Sequence, residues 1–455
     1  MSMIERAATI FALSSGQDRA GVAIVRVSGP GAGAALAAMA TGVTLPRVAR
    51  RARLIDPSTS ETLDDALVLW FPGPHSFTGE DVVEFHVHGG RAVVAGVLCA
   101  LGRLPGARLA EPGEFTRRAF EHGKIDLTEA EGLADLIDAE TESQRRLALR
   151  QLGGELHRAA EAWRTDLLQA QALVEAAIDF ADEGDVSERA VADAALLAAR
   201  VAEKLGVVLA DANRGEILRD GFRVVIAGPP NVGKSSLINT IAKRDAAIVS
   251  PEAGTTRDIV ELQLNLGGIA VNLIDTAGLR EAEGNVEREG IRRGLERART
   301  AELILWVVDA DAPEAYFHPH AEIGPVPTLW VLNKSDLTTA SRIALLGEKI
   351  GKGGAWIAVS ASTGEGIIGL TQRIAATASV RTRGGEVSLI TTARHRQHIQ
   401  ACALALTDFL AGEKSALEWR AEDLRRASTE IGKLVGRVDV EEILGAIFGR
   451  FCIGK

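Results

Sequence analysis

Eight residues, Gly228-Pro-Pro-Asn-Val-Gly-Lys-Ser235, constrain the fold more than any other stretch of this 455-residue chain. They follow the apolar run Phe222–Ala227 and precede the amphipathic start Ser236-Leu-Ile-Asn-Thr-Ile241. A buried strand, a glycine loop and a helix are therefore expected in succession. In such a loop the glycines let backbone N–H groups curl around a β-phosphate, helped by the N-terminus of the following helix. Lys234 would bring a point charge to the β- and γ-phosphates, and the Ser235 hydroxyl is placed to ligate Mg²⁺. Pro229 and Pro230 stiffen the loop and remove two donors, which leaves Asn231 to Ser235 as the N–H groups that matter.

Three further motifs occur in order, each at the end of an expected strand. Asp275-Thr-Ala-Gly278 follows Val271–Ile274, Asn333-Lys-Ser-Asp336 follows Thr328–Leu332, and Ser360-Ala-Ser362 follows Trp356–Val359. With Leu303–Val308, these strands alternate with helices from Gly221 onward, as in a parallel sheet with crossover helices. Asp275 can hold a magnesium shell through water, and the Gly278 N–H can sense a γ-phosphate. The Asp336 carboxylate only accepts, so it pairs with the ring N–H and exocyclic amine of guanine, which adenine cannot offer. The expected nucleotide is GTP. This stretch resembles the Ras-like fold of translation-factor-related GTPases. Leu279 stands where Ras-type enzymes carry a water-orienting glutamine. Another polar group must serve, and spacing does not choose among Glu281, Glu283 and Glu287. Asn231, inside the phosphate loop, could lend its amide oxygen to a monovalent cation.

Outside this segment the texture changes twice. Gly21–Ser28, Ala66–Phe71 and Asp81–His88 read as strands and Arg91–Leu104 as a helix, so the first ~120 residues are expected to form an α+β domain. From Lys124 to about Arg219, Ala, Leu, Arg and Glu predict helices, with a capping box at Thr128–Glu131 and an acidic turn at Asp182–Asp185. Helical texture returns at about 391–411, 415–436 and 439–449, which suggests one helical domain split by an inserted nucleotide-binding domain. Two separate helical units are the alternative. Net charge is −10, but residues 123–219 hold 11 Lys and Arg against 20 Asp and Glu, and no segment is strongly basic. Composition thus locates no nucleic-acid surface. Cys99, Cys402 and Cys452 fit neither a disulfide framework nor zinc spacing, which points to a reducing compartment. No apolar run approaches the ~20 residues that span a bilayer, so a cytoplasmic protein is expected. His86 and His88 share one strand face without a third ligand in view, and no transition metal is expected.

Trp70-Phe-Pro-Gly-Pro, Ser76-Phe-Thr-Gly-Glu-Asp81, Pro112-Gly-Glu-Phe115, Ala253-Gly-Thr-Thr-Arg-Asp258, Asp275-Thr-Ala-Gly-Leu-Arg280 and Phe451-Cys-Ile-Gly-Lys455 carry a wider resemblance. Together they make the whole chain resemble the bacterial tRNA-modification GTPase family known as MnmE or TrmE. The resemblance implies a multidomain chain. Residues 1–122 would form a tetrahydrofolate-binding-like, dimerising α+β domain, 123–219 and 382–455 a discontinuous α-helical domain, and 220–381 an inserted Ras-like α/β P-loop G domain. It implies a homodimer that works with a flavin-dependent MnmG (GidA)-type partner, in a heterotetramer or larger complex, to add an aminomethyl-type or carboxymethylaminomethyl group at C5 of the wobble uridine (position 34) of certain tRNAs. FAD would reside only on the partner, and potassium-dependent pairing of G domains would switch on hydrolysis.

Carried over by motif position, the GTP-binding set is Asn231, Val232, Gly233, Lys234, Ser235 and Ser236, then Ser250, Pro251, Glu252, Ala253, Gly254, Thr255 and Thr256, then Asp275, Thr276, Ala277 and Gly278, and finally Asn333, Lys334, Asp336, Ser360, Ala361 and Ser362. Asn231, Ser250, Glu252 and Thr255 fall where the family binds K⁺, and Ser235 and Thr256 where it binds Mg²⁺. Catalytic parts fall to Glu287, as orienter of the attacking water, and to Lys234, Arg280 and Cys452. Arg26, Glu84, Lys124 and Lys455 match positions that contact 5-formyltetrahydrofolate or another tetrahydrofolate derivative; on strands, Arg26 and Glu84 could equally form an ion pair. Lys455 can reach that site only if the tail folds back. Two other functions compete: a GTP-dependent RNA-binding or ribosome-assembly switch, which would need a basic module not evident after residue 382, and a folate-dependent one-carbon transferase with a regulatory G domain.

Overall fold

A computed structural model describes residues 8–16, 18–42, 44–180, 184–244, 261–275, 301–311, 326–351, 355–384, 388–412, 417–438, 441–449 and 451–455. The elements in chain order begin with β1 (Thr9–Leu13), β2 (Ala20–Ser28), α1 (Ala32–Met39), β3 (Arg50–Ile55), β4 (Thr62–Phe71), β5 (Val82–Gly89), α2 (Arg91–Gly102), β6 (Ala107–Leu109) and α3 (Glu114–Glu121). Helices α4 (Leu127–Ile137), α5 (Glu142–Leu152), α6 (Glu155–Asp179), α7 (Gly184–Ala210) and α8 (Ala212–Asp220) follow. Next come β7 (Phe222–Ala227), α9 (Lys234–Arg244), β8 (Glu261–Leu266), β9 (Ile269–Asp275), β10 (Leu303–Asp309), β11 (Thr328–Asn333), α10 (Ala340–Gly351), β12 (Ala355–Ala358) and α11 (Ile367–Thr382). The last helices are α12 (Ala393–Ala411), α13 (Leu417–Leu434) and α14 (Glu441–Phe448).

Contacts divide the chain into two units. The first comprises Met1–Ala134, Gln151–Ala194 and Gly412–Lys455, the second Asp135–Arg150 and Ala195–Ala411. The first unit contains a six-stranded sheet in the order β3-β4-β5-β2-β1-β6, antiparallel except for the β1–β6 pair. Period-two alternation does what the sequence predicts. Val83, Phe85 and Val87 are buried with Val25, Val27, Val68 and the helical residues Met39, Val97 and Leu101, while Glu84, His86 and His88 take the other face. On that second face Ile10 and Ala12 pack with Ala110 and Phe115 of the α3 region.

Within the same unit α6 packs against α13. Buried Ala160, Trp163, Leu167, Ala170, Val174 and Ala177 recur at alternating spacings of three and four along α6, and Ala421, Leu424, Ala427, Ile431 and Leu434 line α13. Such a stripe lays one helix along another. Glu175 pairs with Arg425 and Glu161 with Arg437, 3.1 Å apart, so the helices run antiparallel. Two helices that precede and follow the second unit's strands in sequence therefore pack together. The helix start expected at Thr128–Glu131 lies two residues earlier. Asp126 Oδ1 accepts the Glu129 N–H at 2.7 Å, and Glu129 Oε2 accepts the Asp126 N–H at 2.8 Å. That is a reciprocal capping box built on Asp126.

The second unit holds the sheet β12-β11-β10-β7-β9-β8. All pairs are parallel except β8 with β9. Both faces are covered, which is why its strands read as unbroken apolar runs. Phe222, Val224 and Ile226 join one core, and Val225 and Ala227 join the other with Trp306, Trp330 and Leu332. The central strands β7, β10 and β11, with β9, end at one edge of the sheet in Ala227, Asp309, Asn333 and Asp275.

Candidate nucleotide-binding site

The loop between β7 and α9 is shaped by steric exclusion. Gly228 has φ +142°, and a Cβ there would stand 2.1 Å from the Val307 carbonyl oxygen of the neighbouring strand. Gly233 has φ +92°, and its Cβ would stand 2.4 Å from Asn333 Nδ2. Neither position admits a side chain without displacing backbone or a buried amide. Between them Asn231 adopts the left-handed region at φ 61°. Lys234 opens α9 and is buried, its Nζ donating to the carbonyls of Gly228 at 3.0 Å and Pro229 at 2.7 Å. The prolines donate nothing, yet the Pro229 carbonyl helps hold the lysine over the loop. A helix N-terminus, an ammonium and a run of N–H groups thus converge, an arrangement that can cradle phosphates.

Asp275 ends β9 buried, and its Oδ2 accepts the Ser235 hydroxyl at 3.1 Å. A hydroxyl and a carboxylate side by side form an all-oxygen donor set, which suits a hard cation such as Mg²⁺. Asn333 ends β11 at 1% exposure and ties two loops together. Its Nδ2 donates to the Val232 carbonyl at 2.7 Å, and its Oδ1 accepts the Ala361 N–H at 3.1 Å. Ser360 is fully buried, its Oγ 3.0 Å from that of Ser362 and accepting the Thr363 N–H at 3.1 Å. Ser362 donates to Asp336 Oδ2 at 3.2 Å. A hydrogen bond from the Ser360 hydroxyl, more than any other influence, holds the Asp336 carboxyl below its ordinary range. It stays an exposed, ionised acceptor, the state that guanine recognition needs.

Asn231, Val232, Gly233, Lys234, Ser235, Ser236, Asp275, Asn333, Lys334, Asp336, Ser360, Ala361 and Ser362 lie together at one sheet edge. Ser250, Pro251, Glu252, Ala253, Gly254, Thr255, Thr256, Thr276, Ala277, Gly278, Arg280 and Glu287 lie outside the described residues, as do Leu279, Glu281 and Glu283. Two participants were missed by sequence reasoning. Thr240 of α9 donates to the Ala361 carbonyl at 2.7 Å, and Asp309 at the end of β10 receives Lys334 Nζ at 2.7 Å. The signal for Asp309 is present: three successive apolar strands end in Asp275, Asp309 and Asn333, each an acid or amide at the same edge.

In the first unit Arg26 and Glu84 are register partners on β2 and β5, and Arg26 Nε donates to Glu84 Oε1 at 3.0 Å. The Arg26 guanidinium carbon lies 5.6 Å from the Phe77 ring centroid and 5.7 Å from that of Phe115. His86 Nε2 is 3.2 Å from Glu84 Oε2, and His88 Nδ1 is 2.8 Å from Asp64 Oδ1, so both imidazoles have carboxylate partners. Lys124 is exposed, its stem passing close over Gly79 of the Ser76–Asp81 motif. The tail does fold back. Ile453 forms an antiparallel bridge with Pro112, and the Gly454 carbonyl accepts the Ser14 hydroxyl at 2.7 Å. Leu13 touches Gly454 and pairs with Val25, the neighbour of Arg26, so the tail brings Lys455 to the strand pair that carries Arg26. Cys452 is exposed on this tail.

A mainly parallel sheet with a glycine loop, a buried Lys234 followed by an exposed Ser235, and Asp, Asn-Lys-x-Asp and Ser-Ala-Ser segments at its strand ends defines a guanine-nucleotide-binding P-loop GTPase. Residues 9–124 match the family described as GTP-binding protein TrmE N-terminus, and residues 127–452 match the MnmE helical domain. The chain is 52% identical to the tRNA modification GTPase MnmE of Beijerinckia indica, covering 98% of this chain and 96% of that one. It is 51% identical to that of Rhodopseudomonas palustris strain BisB18, over 100% of both chains. It is also 51% identical to that of Parvibaculum lavamentivorans, over 98% of this chain and 100% of the relative. The chain belongs to the tRNA modification GTPase MnmE family. No helix among the described residues is long and apolar enough to cross a membrane.

Proposed function

We propose that this chain hydrolyses GTP in the cytoplasm and, with a MnmG (GidA)-type flavoprotein, uses that cycle to install an aminomethyl-type or carboxymethylaminomethyl group at C5 of the wobble uridine of certain tRNAs. The observation that carries the reading is membership of one family from end to end, joined to a guanine site assembled at the strand ends. In this reading Lys234 and the N–H groups of Asn231 to Ser236 bind the phosphates, Ser235 and Thr256 hold Mg²⁺ with Asp275 behind them, and Asp336 selects guanine while Asn333 fixes the two loops around it. Thr276 and Ala277 belong to the GTP-binding set, and the Gly278 N–H senses the γ-phosphate. Bound Mg²⁺ neutralises charge developing on the phosphate oxygens.

Leu279 cannot orient water, so that part falls to Glu287, aided by Arg280. Asn231, Ser250, Glu252 and Thr255 hold a potassium ion when G domains pair in the homodimer. The four-segment division at 122, 219 and 381 belongs to the same proposal. Arg26, Glu84, Lys124 and Lys455 bind a tetrahydrofolate derivative. The Arg26 guanidinium close to two phenyl rings, with a carboxylate beside it, suits a flat, polar-edged ring system. Cys452 lies exposed on the docked tail, which supports a part for it beside that site.

The test is nucleoside analysis of tRNA from cells lacking this protein. The expected result is loss of the C5-modified wobble uridines, restored by the wild-type gene and not by Glu287→Ala. Unchanged wobble uridines would overturn the assignment.

A further inference from the structure

Asp309 closes β10 with both carboxylate oxygens engaged. Oδ1 accepts the Asp311 N–H at 2.9 Å, which shapes the turn, and Oδ2 accepts Lys334 Nζ at 2.7 Å. The same ammonium donates to the Asn231 carbonyl at 3.1 Å. One lysine thus spans from the end of β10 to the phosphate loop, starting from the segment that carries Asp336.

The two backbone positions it joins are unusual. Lys334 and Asn231 have φ 60° and 61°, left-handed conformations for residues that have a Cβ. Such geometry persists only where the surroundings over-determine it. For Asn231 a carbonyl anchored from outside the loop is such a constraint. For Lys334 the constraint is a side chain fixed at its far end. Each rests on the ammonium staying where it is, and a four-carbon stem leaves it free to turn to solvent unless a fixed anion holds it. Asp309 is that anion. Burial opposes its charge, yet the hydrogen bonds from Lys334 and from the Asp311 N–H leave its carboxyl below the usual range. The nearby Arg342 donates its Nε to the Ala310 carbonyl, and its guanidinium adds positive charge on the same side.

We propose that Asp309 is a positioning residue that fixes Lys334 across the phosphate loop, so that the guanine-selecting segment and the Asn231 turn are pre-set as one body before nucleotide arrives. Asp309 touches no nucleotide itself. Its effect is on the fraction of molecules already in the binding geometry, and apparent affinity scales with that fraction. The proposal rests on the reading that Asn231 and Lys334 belong to the nucleotide site.

The experiment is a double-mutant cycle in the full-length chain, read by titration of a fluorescent GDP analogue. Asp309→Asn keeps an acceptor for the Asp311 N–H and removes the charge, and Lys334→Met keeps the stem and removes the ammonium. Asp309→Asn is expected to weaken GDP about tenfold, the order of one charge-assisted hydrogen bond at a partly exposed site. Lys334→Met should weaken it at least as much, and the double variant should match Lys334→Met within about twofold. KM for GTP should rise with the same factor for Asp309→Asn while kcat stays within about threefold, a split that general destabilisation would not give. GDP affinity within twofold of the parent for Asp309→Asn, or losses that multiply in the double variant, overturns the proposal. So does a lowered melting midpoint with unchanged affinity per folded molecule. If Lys334→Met alone leaves GDP affinity unchanged, the reading of the site falls first and this inference with it.

Discussion

Replacing Gly454 by alanine should release the last residues of the chain and little else. Its φ of +102° is one that L side chains rarely adopt, and an added Cβ would stand 2.0 Å from the Leu13 oxygen, 2.8 Å from the Leu13 carbonyl carbon and 3.0 Å from Ser14 Cα. All three are backbone atoms of a paired strand end, so no flexible side chain can swing aside. Backbone strain alone costs about 1–3 kcal/mol. Against this, residues 453–455 are held by the Ser14–Gly454 hydrogen bond and the Ile453–Pro112 bridge. At about 1 kcal/mol net for each, docking is worth about 2 kcal/mol. A docked state favoured by about 2 kcal/mol is open roughly 3% of the time, so its loss should speed amide exchange at 453–455 about 30-fold.

Phe451 is buried and lies 6.1 Å from the Phe448 ring, so protection should persist up to that residue. Hydrogen exchange read by mass spectrometry on peptides covering α14 and the tail measures both. Ser14→Ala, which removes one hydrogen bond without a clash, should speed exchange only about fivefold by the same arithmetic. Exchange at 453–455 within threefold of the parent in Gly454→Ala would refute the steric argument. Loss of protection throughout α14 would refute its locality.

Asp336→Asn should lower GTP affinity by at least about 100-fold and improve binding of xanthosine triphosphate, whose second carbonyl meets the new amide; competition titration reads both. GTP turnover should be faster in KCl than in NaCl at equal ionic strength, and equal rates would sink the potassium proposal. The Asp336 carboxyl lies below its usual range, so GDP affinity should stay level as pH falls through the ordinary carboxylate region and drop only through the lowered pKa. Ser360→Ala removes the main cause and should move that acid limb to higher pH in a binding titration. A limb that stays in place would assign the shift elsewhere.

The nucleotide-binding strands were legible because parallel strands covered on both faces are written as plain apolar runs. Phe222–Ala227 was read to the residue. Strand β3 was missed because its inward residues Ala52 and Leu54 alternate with Arg51 and Arg53, and a stretch rich in arginine does not look like a strand until its partner is known. The capping box slipped by two because Thr128 with Glu131 and Asp126 with Glu129 share the same spacing. Asp126 prevails since Glu129 returns a bond to its N–H and the Thr128 hydroxyl donates to its carboxylate at 2.8 Å. At the site, motif spacing named the groups expected to face a nucleotide but not those that hold them. Thr240 and Asp309 act on other protein atoms, and only folding reveals which.

The bond between Ser14 and Gly454 joins residues 440 positions apart. A ribosome adding about 5–20 residues per second makes the second partner roughly 20 to 90 s after the first. Through that interval the β1 end and the Pro112 turn must wait in a nascent chain with the places for Ile453 and Gly454 unfilled. The α6 stripe must likewise wait for α13. Early folding of the first unit is therefore provisional, and chains cut short during synthesis would keep the guanine-site segments yet lack this closure. The bond thus ties a late-made segment to one made hundreds of residues earlier.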